Sequence, residues 1–590
     1  MALAGGIGAF VASTMAMSAF AQSTPSPDNY IAIVPDALPF YASKLDKASS
    51  LTDGRLLSLV GFRNYSPSLY TLSANVGNEV LPLSTPGTSS STRGEATAIS
   101  GNLLAGYQVQ SGAYKAQAWE KTANGIIRTD LNTVVAPLIG MNPASVSSFA
   151  HGVNGSLVAG YAGFSYYPKA VAWEKTASGF AAVNLHQTAG LPSTSLSEAK
   201  AVFGNRVVGY GGREALQWDR NPSTGAYTVT TLASQNLLGA NSEAEATGTD
   251  GIYTAGSGSG TNTGVKTNIN GRDFYHSHAL YWSGGSSLDF HQATRLNDYL
   301  GAGAESWATD IAGGVMVGSG HGANMGRVYY SNGSSEYAPH ALRWANKLSV
   351  GSTVLDLQQF LPVVPTSQTT RPFTNATAIT NDGIILGTAS NFPQFGPVSP
   401  NQPTIRNVIW QPLDLLYFSW VRIPQGTTGY LTKSFNQGKG AVYVLGKLDL
   451  NKGASAATYT LTNGGLGGNG WIDGSVVHNG GVVTPDYNPN GAFTISTYIQ
   501  RGGSLSIHVY YQTFNQRMLR LTANRLATGY ASLNGRLSMT VPYATPRGSR
   551  FTVLTAARID GAFTSVTPGW QVSYYRTLGN SSVVATYVGQ

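Results

Sequence analysis

One phrase recurs along this chain of 590 residues and restricts its fold more than any other feature. From Ala96 it reads ATAISGNLLAGY and closes with AQAW at Trp119. It returns from Ala150 (closing at Trp173), Ala199 (Trp218), Ala246 (Trp282), Ala308 (Trp344) and Ala376 (Trp410). A degraded copy starts at Ala48 and closes at Ser73. The successive starts lie 48, 54, 49, 47, 62 and 68 residues apart. A period near 50 with drifting length marks repeated supersecondary units, each too small to bury both of its faces alone.

Each unit reads as short strands. NLLAGY alternates around a buried pair, and A-x-A-W sets small and aromatic residues on opposite faces. A further strand follows each Trp, such as GIIRTDLNT after Trp119. No stretch of helical period intervenes. Antiparallel units of three or four strands at this spacing predict the blades of a β-propeller, about seven in number. Composition agrees, since 71 Gly and sparse charge favour β- and turn-rich structure over helix bundles. The absence of cysteine excludes thiolate metal sites and cysteine nucleophiles.

Residues 1–21 are apolar or small, and Ala19-Phe20-Ala21 before Gln22 fits a signal-peptide cleavage pattern, although no Lys or Arg precedes the apolar run. A retained membrane anchor is the alternative, weakened by the Gly, Ser and Thr that dilute the segment. The repeats then occupy 22–412, and 413–428 reads as a linker, beginning with the apolar strand-like run LDLLYFSWVRI.

The repeats resemble the HAF family of extracellular repeats, in which a glycine-rich strand is followed by H-A-F-x-W and then by an Asp-Leu-like pair. His278-Ala279-Leu280-Tyr281-Trp282 and His340-Ala341-Leu342-Arg343-Trp344 match the second motif, with Leu for Phe. Asp130-Leu131 and Asp356-Leu357 match the third. The resemblance implies an extracytoplasmic, propeller-like module and no activity.

Two units carry insertions, Ser257–His278 and Ser319–His340. Such loops are where ligands bind repeat folds. His276, His278, His321, His340 and Asp273 gather there in sequence, and imidazole and carboxylate suit a metal. His278 and His340 are equally explained as repeat positions that hold a blade together, and the sequence assigns no metal, cofactor or catalytic residue. Glu243, Glu245, Asp250, Asp273 and Glu305 lie near the insertions, but no spacing singles out the carboxylate pair of a glycosidase. Gly256–Gly260 superficially resembles a nucleophile elbow, but its middle residue is Gly258 rather than Ser.

From about Gly429 short β runs alternate with Gly and Asn turns, the pattern of a parallel β-helix over 429–590. Gly464-Gly465-Leu466-Gly467-Gly468-Asn469-Gly470-Trp471-Ile472-Asp473-Gly474 leads to Asn479-Gly480-Gly481-Val482-Val483-Thr484-Pro485, then Gly503-Ser504-Leu505 and Arg550-Phe551-Thr552-Val553-Leu554. This order resembles the passenger of type V autotransporters. The resemblance implies export to the cell surface or medium, and a translocator barrel that is encoded elsewhere or lost by truncation. Residues 501–590 hold nine Arg, no Lys and one acid, Asp560, so the whole net charge of +8 resides there. No aromatic-interleaved nucleic-acid motif accompanies it, and a solvated basic β face explains it.

The sequence thus predicts an all-β chain, a repeat propeller followed by a parallel β-helix. It predicts a secreted or outer-membrane-associated passenger that binds a host-surface or glycan ligand without catalysis. The alternative is a secreted polysaccharide-active enzyme with its site at the propeller mouth.

Overall fold

In the computed structural model the described residues are 30–35, 40–45, 57–63, 66–72, 79–83, 93–164, 167–232, 234–269, 272–329, 335–344, 354–363, 372–390, 392, 405–413, 420–486, 492–514, 518–523, 526–541 and 545–589. The expected signal peptide, Ala48 and the Pro-rich stretch 393–404 lie outside them. The fold is all-β and β-propeller-like. Among the described residues the longest helices have only four or five residues, and none is long and apolar enough to cross a membrane.

The phrase builds four-stranded antiparallel sheets. Six stand alone, their first strands being Phe40–Leu45, Gly94–Ser100, Ser147–Asn154, Ser197–Phe203, Glu243–Thr249 and Glu305–Ala312. A seventh set begins at Phe373–Ile379. Each first strand packs on the next, and Phe373–Ile379 packs back on Phe40–Leu45. The fourth strand of the seventh set is not Trp410's successor in sequence but Tyr30–Pro35, which pairs antiparallel with Arg406–Pro412.

The reason for the phrase is steric. Every first strand carries a β-bulge at one place, between Ala96 and Ala98, Ala150 and Gly152, Ala308 and Asp310, and at their counterparts. Opposite the leading Ala stands the glycine of the phrase, as in Ala150 opposite Gly160. A Cβ on Gly160 would lie 1.9 Å from the carbonyl oxygen of Phe149, so no side chain fits there. The first sheet shows the same bulge between Ala42 and Lys44, with Ala42 opposite Gly61. The degraded copy therefore begins at Ala42 rather than at Ala48; a longer connection hid its start.

Adjacent sheets are joined by polar bonds as well as by packing. Thr247 Oγ1 donates to the carbonyl of Ala308 at 2.7 Å, and Thr309 Oγ1 to that of Ala376 at 2.8 Å. Trp119, Trp173, Trp218, Trp344 and Trp410 are fully buried between sheets. Removing such a side chain costs about 3–5 kcal/mol.

From Trp420 the pairing becomes parallel. Trp420–Ile423 pairs with Ala441–Val444, then Gly465–Gly468, Val482–Pro485, Ser504–Phe514 and Arg536–Thr540 follow in one ladder. Thr427–Tyr430 starts a second ladder through Lys447–Asp449, Trp471–His478, Phe493–Gln500, Leu526–Leu533 and Arg550–Gly561. Val421, Val442, Leu466, Val483, Leu505 and Leu537 stand in register and are buried, forming one apolar stack. Residues 420–428, read from sequence as linker, thus belong to the first turn of the parallel region. The second ladder is hydrogen-bonded to the seventh four-stranded set through Tyr30–Pro35.

Candidate functional site

The two insertions form hairpins, Val265–Ile269 with Arg272–Tyr275 and Arg327–Tyr329 with Ser335–Tyr337. Both leave their sheets by one turn. Gly260-Thr261-Asn262-Thr263-Gly264 and Gly322-Ala323-Asn324-Met325-Gly326 each make a short 3-10 turn. The Asn amides donate to equivalent carbonyls, Asn262 to Leu237 and Asn324 to Tyr299, both at 3.1 Å. The insertions are therefore one element used twice, and the shared G-x-N-x-G was legible in the sequence.

A pocket of about 610 Å³ opens beside them, lined by Lys266, Glu305, Trp307, His321, Arg327, Tyr337 and Asn375 among others. Glu305 begins its strand directly opposite His321, which ends the neighbouring one. Its side chain is 3 % exposed. Its Oε2 accepts from His321 Nε2 at 2.9 Å and from Lys266 Nζ, on the first hairpin, at 2.7 Å. His276 Nδ1 lies 3.6 Å from Oε1. Burial alone would raise the Glu305 carboxyl, but the bonds from His321 and Lys266 prevail and hold it down to about 2. Burial lowers His276 despite Glu305. Alternation along the strand puts Trp307 on the same face as Glu305. Its indole meets His321 edge-on, with centroids 5.0 Å apart, and His321 in turn faces Tyr337 at 6.0 Å. Arg327 lies over the Tyr337 ring at 4.9 Å and donates to Ser335. The wall is thus aromatic, with fixed donors, the fixed anion Glu305 and a second carboxylate, Glu336, from the second hairpin.

The sequence cluster of histidines divides. His276 and His321 share Glu305, whereas His278 and His340 face away from it. His278 Nδ1 bonds Asp289 at 2.7 Å, and His340 Nδ1 bonds Asp356 at 2.7 Å, each within its own sheet. The equivalent residues of earlier sheets are Lys115 and Lys169, which bind loop carbonyls. Position four before Trp is therefore a structural one. Among the described residues no group of three His, Asp or Glu has the geometry of a metal site.

The acids scatter as well. Glu243 pairs with Arg213 and lies beside Arg272. Asp273 accepts from Asn268, and Asp250 accepts from the backbone of Gly314 in the next sheet. Glu245 sits on a first strand opposite Ser257. Of these acids Glu305 alone lines the pocket, where Glu336 of the second hairpin joins it.

Sequence reasoning passed over a second cluster. The residue bulged out of each first strand is Ser43 in the first sheet and Thr at 97, 247, 309 and 377, but His151 and Lys200 in two adjacent sheets. Both approach Glu198, His151 Nε2 at 3.6 Å and Lys200 Nζ more closely. Burial would raise Glu198, but these partners bring it to about 2. They border a cavity of about 200 Å³ that also meets Lys44 and Asp310. The break in the Thr pattern was the available clue.

No family model matches the chain, and no curated protein matches it. Solved structures match in part. A post-proline cleaving enzyme from Rickettsia typhi aligns with a TM-score of 0.29 and 9% identity over 57% of this chain and 47% of that one. A Mycobacterium tuberculosis puromycin-hydrolyzing peptidase gives 0.26 and 10% over 65% and 55%. A protein from Lactobacillus plantarum gives 0.20 and 12% over 64% and 81%. The chain spans about half the length of the first two. Likenesses this distant carry nothing about activity to this chain.

Proposed function

We propose that this chain is a secreted or surface-exposed passenger whose seven-bladed propeller head binds a glycan or host-surface ligand without catalysis, on a parallel β-helix stalk. The closed run of first-strand contacts supports the seven blades, and the two in-register parallel ladders support the β-helix. The passenger reading, the HAF resemblance and the extracellular location rest on the motifs of the sequence.

The observation that carries the binding reading is the pocket beside the inserted hairpins. Trp307 and Tyr337 offer flat apolar faces, while Lys266, Arg327, His321 and Asn375 offer hydrogen bonds. Ring faces with a polar rim suit a sugar, whose C–H face stacks while its hydroxyls bond. A glycosidase's proton donor must stay protonated at its working pH, and Glu305, held down to about 2, is ionised and does not suit that role.

The test is a glycan and matrix-protein array probed with the parent chain and with Trp307→Ala. Binding by the parent that the variant loses supports the reading. Polysaccharide turnover without retained binding overturns it in favour of the enzyme alternative.

A further inference from the structure

The parallel region ends in an antiparallel hairpin, Trp570–Tyr575 with Ser581–Tyr587, laid against Arg550–Gly561. Its tip is held tightly. Asn580 N–H and Ser581 Oγ both donate to the carbonyl of Thr577, at 3.2 and 3.0 Å, and Gly579 adopts φ +80°. This turn presents Leu578 wholly to solvent, the most exposed large apolar side chain among the described residues. Tyr575 beside it is also exposed.

Arginines lie along this hairpin. Arg576 precedes Leu578 by two residues, reaches the carbonyl of Gly561 and lies over the Tyr574 ring at 5.4 Å. Arg550 stands opposite Thr586, towards the far end of the hairpin, and its side chain donates to the Tyr575 hydroxyl. Arg558 pairs with Asp560 at 3.0 Å. Asp560 is the sole acid of residues 501–590, so the fixed positive charge at this end is in excess. Cations alone would suit any polyanion. A leucine held out at a rigid tip gains nothing from a soluble polyanion, but it gains from the boundary between lipid headgroups and acyl chains.

We propose that the tip 577–580 is a membrane-surface anchor. It seats Leu578 at the headgroup boundary of an anionic lipid leaflet, with Arg558 and Arg576 against the phosphates. The proposal is independent of what the propeller-like region binds.

The test is co-sedimentation of the full chain with vesicles of phosphatidylcholine alone and of equal parts phosphatidylcholine and phosphatidylglycerol. Partition to the mixed vesicles, reduced by added salt, is expected. Leu578→Ser should weaken it roughly tenfold, and Arg576→Gln roughly fivefold. Leu578→Trp should keep or strengthen it, with an indole emission that shifts to the blue on vesicle addition. Since Leu578 is exposed, the two Leu578 variants should melt with the parent. No partition to mixed vesicles, equal partition by Leu578→Ser, or an unshifted tryptophan overturns the anchor. Retention on dextran sulfate by parent and Leu578→Ser alike, without vesicle binding, reduces the end to a plain basic patch and overturns it too.

Discussion

Trp173 donates its indole N–H to the carbonyl of Leu131, 3.1 Å away and one sheet earlier. Trp218 does the same to Leu185 at 3.1 Å, and Trp410 to Leu357 at 3.0 Å. In these three phrases the closing Trp thus reads the Asp-Leu or Asn-Leu pair that ends the unit before it, whereas the buried indole N–H groups of Trp119 and Trp344 make no such bond. The next residue adds a second link. Asn132 accepts from Ser148 Oγ, and His186 and His291 bond Ser197 and Ser306. Those serines accept from the backbone of Ala116, Ala170 and Ala279. The repeat is conserved along the chain because each copy completes its neighbour.

Trp173→Phe should therefore destabilise beyond its lost area. It leaves the Leu131 carbonyl buried without its donor, at about 1–3 kcal/mol. Chemical denaturation measures this; a change inside error would show that the bond contributes nothing.

Gly318→Ala should be worse. Its Cβ would fall 1.9 Å from the carbonyl oxygen of Trp307, against the backbone of the neighbouring strand. A loss of about 3 kcal/mol or more is expected. Gly438→Ala, whose nearest neighbour would be 3.9 Å away, should change stability by less than about 0.5 kcal/mol. Equal melting of the two variants would contradict the steric account.

Ile33 stands between Ile409 on one side and Gly429 on the other, in the strand that the seventh four-stranded set shares with the parallel region. It is fully buried. Ile33→Ala should cost about 2–5 kcal/mol and lower the unfolding of both regions together. Separate transitions, only one of them shifted, would sink the idea that this strand couples them.

Stability should rise with pH through the histidine range. His291 is stacked on His278 at 4.0 Å, and burial, then the His278 ring, hold it down to about 4. An unfolded histidine titrates near about 6.5. Between those values the unfolded chain binds the extra proton, so stability falls as pH drops through that window. His151, His186 and His478 are lowered by burial too and act in the same sense. His291→Gln should flatten the slope of melting temperature between about pH 6.5 and 4.

Glu305 acts in the opposite range. Its folded value is depressed to about 2, so its contribution is present above the ordinary carboxyl value of about 4.3 and is lost as pH falls toward 2. Glu305→Gln should remove part of the acid limb and release Lys266 and His321. An unchanged acid limb would mean that the pair does not stabilise the fold.

Strand count, period and the place of each Trp were legible because they are local. An alanine facing a glycine across a bulge repeats at fixed spacing, and apolar alternation marks each stack of the parallel region. The same locality placed the insertions and the excess of Arg in residues 501–590. It misplaced two boundaries. Ala42 was hidden behind a longer connection, and residues 420–428 read as linker because their partners, 441–449, come later in the chain.

What needed tertiary structure was every pairing across long sequence separation. Nothing local in Tyr30–Pro35 says that it completes a sheet begun at Phe373, since backbone hydrogen bonding does not record which strand supplies the edge. Nor does spacing tell His276 and His321 from His278 and His340. The first two meet at Glu305 because two hairpins leave adjacent sheets on one side, while the others turn inward to Asp289 and Asp356. The sequence determined the repeating unit through sterics and periodicity. The fold alone decided which side chains converge, because convergence depends on how the units are arranged in space.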